Sequence, residues 1–228
     1  MLLLYTLLSI AFSAAQGGYC DQPGWDTVFL DTFDTLDSNS WTALNGTSEN
    51  DSSCREAMCL TDNVSIRNGT LVLTAKSQAS GWANYTTGAV NSRDKRFWQA
   101  TSSSPFRACV SGLLPGGGGT GQGLWPAFWM MPNDASCWPT HGEMDILEMI
   151  NGDGIVHATY HVAQNSTSCG KDEDDGGSMP IPDFDRNFHE YAVQRSQHSL
   201  QFVYDGVVVY DSQHGKKNLT VLDVPWYM

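Results

Sequence analysis

Leu200–Tyr204 and Val207–Tyr210 are apolar, β-branched and aromatic runs joined by Asp205-Gly206, a joint that dictates a β-hairpin. Asp-Gly suits a type I′ turn, in which both central residues take positive φ and the turn's twist matches that of the strands it connects. The same grammar, short strand-like runs between turn clusters, governs the chain from about Asp26 onward, with hardly any helical periodicity. Val28–Leu30, Leu71–Thr74, Phe106–Leu113, Trp125–Met131, Glu143–Ile150 and Ile155–Val162 read as further strands. Many closely spaced strands in one domain of 228 residues point to an all-β fold, two antiparallel sheets packed as a β-sandwich or jelly roll. Between the strands, Pro115 to Gly121 reads as a glycine-rich connector that could also serve as a mobile lip. Lys171 to Gly177 reads as a solvated acidic loop.

The run His141-Gly142-Glu143-Met144-Asp145-Ile146-Leu147-Glu148 sets three acids within six positions of an apolar strand. Alternation puts Glu143 and Asp145 on one face, with Met144 and Ile146 on the other. A β-bulge between Asp145 and Glu148, expected at Leu147, returns Glu148 to the face of the other acids. Crowded carboxylates raise one another's pKa, so the row should keep a proton near neutral pH while another member stays ionised. Glycoside hydrolysis with retention uses that state, with two carboxyl groups about 5–5.5 Å apart, one attacking the anomeric carbon and the other protonating the leaving oxygen. Strand positions four or five apart have Cα atoms roughly 13 Å apart, a gap that two inward-leaning Glu side chains can close. Asp145, between them, is placed to share a proton or a hydrogen bond with the nucleophile. A plain solvated acidic strand face is the competing reading, and the apolar residues between the acids argue against it.

Aromatic residues surround the acids. Trp125 and Trp129 share parity on one expected strand and would present flat faces for sugar stacking, Phe128 falls to the core by opposite parity, and Trp138 follows nearby. His157 and His161 share a strand face, where they could bond sugar hydroxyls or the carboxylates; a His pair beside acids also suits a metal. The candidate site is therefore Glu143, Asp145 and Glu148 as catalytic residues, with Trp125, Trp129, Trp138, His157 and His161 as substrate-binding residues and no metal ligand assigned.

Charge and processing signals narrow the setting. With 12 Lys+Arg against 25 Asp+Glu the net charge is −13, which opposes nucleic acid and anionic membrane surfaces as partners. Residues 1–17, apolar from Leu2 to Ala15 and ending in small residues, read as a secretory signal peptide, which makes the protein secreted and extracellular with no membrane association after cleavage. Six Cys form an even set suited to an oxidising compartment, with 15 pairings open. No Cys-X-X-Cys occurs, which disfavours zinc. Seven of 12 Asn (Asn45, Asn50, Asn63, Asn68, Asn84, Asn165, Asn218) open Asn-X-Ser/Thr against the about two that chance would give, marking a glycoprotein. No cofactor is expected; a structural calcium stays open, since the acidic 171–177 run offers carboxylates but no EF-hand spacing.

The segment Gly123-Leu124-Trp125-Pro126-Ala127-Phe128-Trp129-Met130-Met131-Pro132, followed by Trp138-Pro139 and the E-x-D-x-x-E run Glu143 to Glu148, resembles the catalytic core of glycoside hydrolase family 16, laminarinase-like members. Supporting matches run from Phe29–Asp34, Leu36-Asp37 and Trp41 through Leu71–Ala75 to His189-Glu190-Tyr191 and Phe202–Gly206. The resemblance implies a concanavalin A-like jelly roll with a substrate cleft across its concave sheet, spanning residues 18–228. It also implies a monomer whose partner is a polysaccharide, β-1,3-glucan of laminarin type, cleaved internally with retention. On the matching positions, Glu143 corresponds to the nucleophile, Glu148 to the acid/base and Asp145 to the assisting acid; Trp125, Trp129, Trp138 and His161 correspond to cleft residues. Two departures stand out: Cys109 where members carry Arg, and the glycine-rich Gly116–Gly119. Alternatives are a non-hydrolytic glucan-recognition protein, which typically lacks the acid pair, and a family member that acts on mixed-linkage glucan or galactan or as a transglycosylase. The family pattern continues past Val224-Pro225-Trp226-Tyr227-Met228, so the chain is expected to lack C-terminal strands and to expose an unpaired apolar edge.

Overall fold

The computed structural model describes residues 8–13, 18–46, 54, 57–164, 169–215 and 219–228. Its strands are β1 (Leu8–Ser13), β2 (Thr42–Ala43), β3 (Met58–Cys59), β4 (Val64–Ile66), β5 (Leu71–Ala75), β6 (Thr86–Thr87), β7 (Val90–Asn91) and β8 (Phe106–Leu113). They continue as β9 (Ala127–Pro132), β10 (Glu143–Glu148), β11 (Ile155–Ala163), β12 (Asp172–Pro180), β13 (His189–Arg195), β14 (Leu200–Tyr204), β15 (Val207–Asp211) and β16 (Trp226–Tyr227). Two sheets dominate: seven strands in the order β15-β14-β13-β8-β1-β5-β4, and five in the order β12-β11-β10-β9-β16. Helix among the described residues is limited to three-residue 3₁₀ turns. The architecture is the all-β sandwich expected from the strand grammar.

Alternation explains the core. Met144, Ile146 and Leu147 of β10 and Val156 and Tyr160 of β11 turn inward to meet Tyr191 and Val193 of β13 and Phe202 and Tyr204 of β14, all fully buried. Burying each such side chain contributes about 1.5–3 kcal/mol, and the Tyr191 and Tyr204 rings meet edge-on at 5.2 Å. Arg195, at the end of β13, is also fully buried. Its guanidinium donates to the carbonyls of Ser196, Ser199 and Leu222, tying the last segment of the chain to the sheet. Burial lowers its pKa to about 10, so it stays charged at neutral pH.

The Asp205-Gly206 hairpin forms with both residues at positive φ, 45° and 78°, between β14 and β15. Several expectations need correction. Val28–Leu30 is not a strand, and Val28 and Leu30 are 79% and 61% exposed. The acidic stretch is no loop but β12, which forms a nine-residue antiparallel ladder with β11. Edge position reconciles strand and charge, because Asp172 and Asp174 lie on the face of His161, the Asp172 carboxylate against its ring, while Asp175 is buried on the opposite face. The stretch from Pro115 to Gly121 is closely packed at two points. A Cβ on Gly121 would lie 2.6 Å from Gly152 Cα, and one on Gly116 at 2.6 Å from Gly121 Cα, so these glycines permit backbone-to-backbone packing. The apolar ending is buried rather than exposed: Trp226 is fully covered, and β16 pairs with β9 while Trp226 also bridges to Trp98.

Disulfides join Cys20 to Cys109, Cys54 to Cys59 and Cys137 to Cys169. Cys109 thus anchors the Cys20 segment to β8. Beside it the Arg107 guanidinium stacks between the rings of Tyr19 and Trp25, at 3.9 and 4.2 Å, and the Glu190 carboxylate accepts from the Tyr19 and Cys20 amides. Leu8–Ser13, inside the expected leader, is β1, between β5 and β8; the rest of residues 1–17 lies outside the described residues, as do Asn50, Asn165 and Asn218. Of the other sequon asparagines, Asn45, Asn68 and Asn84 are exposed. Asn63 is 1% exposed, and its Nδ2 donates to Thr86 Oγ1 at 2.8 Å.

Candidate active site

The five-stranded sheet brings the three acids to one face. Across to β11, Glu143 pairs with His161, Asp145 with Thr159 and Glu148 with His157. Three steps along β10 therefore match two along β11, the signature of one inserted residue. On the other side Asp145 pairs with Trp129 and Leu147 with Phe128, so the extra residue is Ile146, one position earlier than expected. Ile146 and Leu147 both point into the core, fully buried, and Glu148 returns to the acids' face. The bulge is braced from across the sandwich, where Tyr204 Oη donates to the Ile146 carbonyl at 2.8 Å. Such a bond satisfies a buried acceptor that the ladder leaves open. Gly142, directly before Glu143, has φ +90°, and a Cβ there would approach the His161 carbonyl, the Trp226 ring and the Tyr160 hydroxyl at 3.1 Å each. Only glycine suits this entry into β10.

Two indoles address the two glutamates. Trp138 Nε1 donates to Glu143 Oε2 at 2.5 Å, and Trp125 Nε1 donates to Glu148 Oε1 at 2.7 Å. Both rings are substantially exposed, 40% and 53%, so each offers a flat face to a ligand while its N–H orients a carboxylate. Trp125 achieves this from the loop before β9, not from the same strand as Trp129; Trp129 is half-buried opposite Asp145, and Phe128 packs against the core. Trp138 sits on a turn held by the Cys137–Cys169 disulfide and by the Gly170 amide, which donates to the Trp138 carbonyl.

His161 lies between two carboxylates. Its Nε2 is 3.1 Å from Asp145 Oδ2 and its Nδ1 is 2.7 Å from Asp172 Oδ2. Burial would lower its pKa, but the hydrogen bonds and charges of Asp145 and Asp172 outweigh that and raise it to about 9. Asp145, 5% exposed, goes up to about 6 because burial and the Glu148 charge overcome the help from His161. Between these two values Asp145 is ionised and His161 protonated. Asp172 escaped the sequence reading; only the β11–β12 register, which pairs Ala163 with Asp172 and His161 with Asp174, reveals it. His157 shares the face, opposite Glu148 and Ser178. Among the described residues no cluster of three or more His, Cys, Asp or Glu is arranged to hold a metal ion. A cavity of about 760 Å³ between loop residues 24–33 and strands β5 and β8 reaches Trp125 and Trp129 but none of the acids.

The arrangement can deliver a carboxylate nucleophile and a carboxyl acid side by side, each oriented by an indole. The family model for glycosyl hydrolases family 16 matches residues 55–225. The beta-glucanase of Rhodothermus marinus is 26% identical over 170 residues, covering 72% of this chain and 55% of the relative. The glucan endo-1,3-beta-glucosidase A1 of Niallia circulans is 26% identical over 211 residues, covering 82% of this chain and 29% of the relative. The chain therefore spans about half of one relative and under a third of the other. The laminarinase catalytic domain from Thermotoga petrophila superposes with a TM-score of 0.71 at 23% identity, covering 89% of this chain and 84% of that one, which shows a shared fold.

Proposed function

Because the chain belongs to glycosyl hydrolases family 16, we propose that it is a secreted endo-β-1,3-glucanase that cleaves laminarin-like glucan with retention of configuration. The observation that carries this is the single face on which Glu143, Asp145 and Glu148 meet, with an indole N–H on each glutamate. In this reading Glu143 attacks the anomeric carbon while Glu148 gives its proton to the leaving oxygen. Glu148 then takes a proton from the water that releases the sugar. The Trp138 bond aims the Glu143 carboxylate. The imidazolium of His161 offsets the charge of Asp145, so the row is less repulsive to the second negative charge on the nucleophile. Trp125, Trp129 and Trp138 provide stacking faces for glucosyl units, and His157 a polar contact. The presence of both glutamates weighs against a glucan-recognition protein without turnover.

Laminarin, lichenan and agarose digested side by side test the proposal: oligosaccharides should be released from laminarin in preference to agarose. Proton NMR during the first minutes should show the β-anomer of the new reducing end before mutarotation. Binding without products, or the α-anomer first, would overturn the reading.

Secretion makes a second expectation. The mature protein should begin at about Gly18 by mass spectrometry of its N-terminus. Cleavage there withdraws β1 from between β8 and β5, so leader and central strand are exclusive fates of Leu8–Ser13 in one molecule. A secreted protein that retains residues 8–13 would refute the leader.

A further inference from the structure

We propose that Asp172 is a positioning residue for the reaction, holding His161 as an imidazolium whose second N–H is committed to Asp145. The inference rests on the glycosidase reading for its catalytic consequence but on geometry for its premise. A neutral imidazole carries one N–H and can donate to one partner; both ring nitrogens of His161 lie within hydrogen-bond distance of a carboxylate oxygen, 2.7 Å to Asp172 and 3.1 Å to Asp145. With both acids ionised, two carboxylate acceptors require two donors, hence the protonated ring.

The surroundings of His161 leave Asp172 a distinct task. From β10, Asp145 bonds the ring and Glu143 is its register partner; from β12, Asp174 stands directly opposite and Asp172 on the diagonal. The Trp138 ring lies 5.9 Å away, contributing a wall but no charge, and His157 lies farther along β11. Asp172 is the partner of Nδ1, so it fixes the ring's orientation and leaves Nε2–H aimed at Asp145. Without it, the ring can give up a proton or turn, and Asp145 loses its counter-charge beside the two glutamates. The elevated pKa of His161 accords with this arrangement. Asp172 begins an edge strand and is not needed to fill the core, so its replacement should leave the fold intact.

The test is Asp172→Asn, with Asp172→Glu as the conservative variant and Asp174→Asn as a same-strand charge control. In histidine-labelled protein, with the His161 resonance assigned by its loss in His161→Gln, the titration midpoint should fall by at least about one pH unit in Asp172→Asn. It should fall less in Asp174→Asn and recover in Asp172→Glu. On laminarin, kcat should drop about tenfold or more with KM little changed, the scale of a lost charge-assisted hydrogen bond. The loss should deepen as pH rises, because the weakened imidazolium deprotonates earlier. An unchanged midpoint, or an equal fall in both Asn variants, would overturn the proposal. Since the titration needs no substrate, a wild-type protein inactive on laminarin would sink the glucanase reading while leaving this inference to stand or fall on its own midpoint.

Discussion

Glu143→Gln is expected to reduce the release of reducing ends from laminarin by at least ~10³-fold, the scale of a removed catalytic group. The variant should fold normally, because an amide oxygen can still accept the Trp138 N–H that the carboxylate accepts at 2.5 Å. What disappears is the negative charge that forms the glycosyl bond. A companion variant separates the roles. Glu148→Ala should be nearly as inactive on laminarin yet recover its first step on an aryl glucoside whose leaving group needs no proton. Glu143→Ala should recover nothing on that substrate. Wild-type activity in Glu143→Gln would remove the acid row from the chemistry altogether, and the opposite pattern of recovery would exchange the two glutamates.

The second large effect concerns stability. Replacing Cys20 and Cys109 together by Ser should cost about 4–5 kcal/mol in the chain-entropy account, because this bridge closes a sequence separation of 89 residues. At about 2–4 °C per kcal/mol for a domain of this size, that is a fall in Tm on the order of 10 °C or more. The Cys137–Cys169 bridge, with a separation of 32, should cost less, and Cys54–Cys59, with a separation of 5, the least. Thermal unfolding of the three double-Ser variants gives the ranking, and a Cys20/Cys109 variant as stable as wild type would refute it. The local contacts add to the effect, since the bridge holds the Tyr19 and Trp25 rings around Arg107.

Where pattern alone determines the backbone, the sequence was a sufficient guide. Asp205-Gly206 announced its hairpin, and Phe106–Leu113 and Leu200–Tyr204 form strands with the expected ends because alternating apolar residues and turn residues act locally. The acid row was legible for the same reason, down to the need for an inserted residue. Its position was not: Ile146 and Leu147 are equally apolar, and Tyr204, 58 residues away, selects which carbonyl leaves the ladder. Non-local partners also account for the other failures. Lys171 to Gly177 has the composition of a loop, yet nine residues of β11 draw the neighbouring stretch into a strand. Gly176 and Gly177 belong there because a Cβ would lie 2.1 Å from the Ala158 carbonyl and 2.0 Å from that of Val209. Asp172 could not be named as a site residue before that pairing was known. Trp125 stands beside Glu148, but in a loop rather than on the expected strand, since its element depends on where β9 begins.

The buried Asn63 sets a limit on the order of events in the protein's synthesis. Its amide nitrogen is the atom that would carry a glycan, and in the folded chain that nitrogen is spent on Thr86 with no room around it. A sugar transferred there would have to arrive before Asn63 packs against Thr86 of β6, and it would then keep the two apart. Occupancy at this sequon therefore amounts to a stopwatch: each molecule found modified at Asn63 is one in which the transferase outran the packing of Asn63 against Thr86.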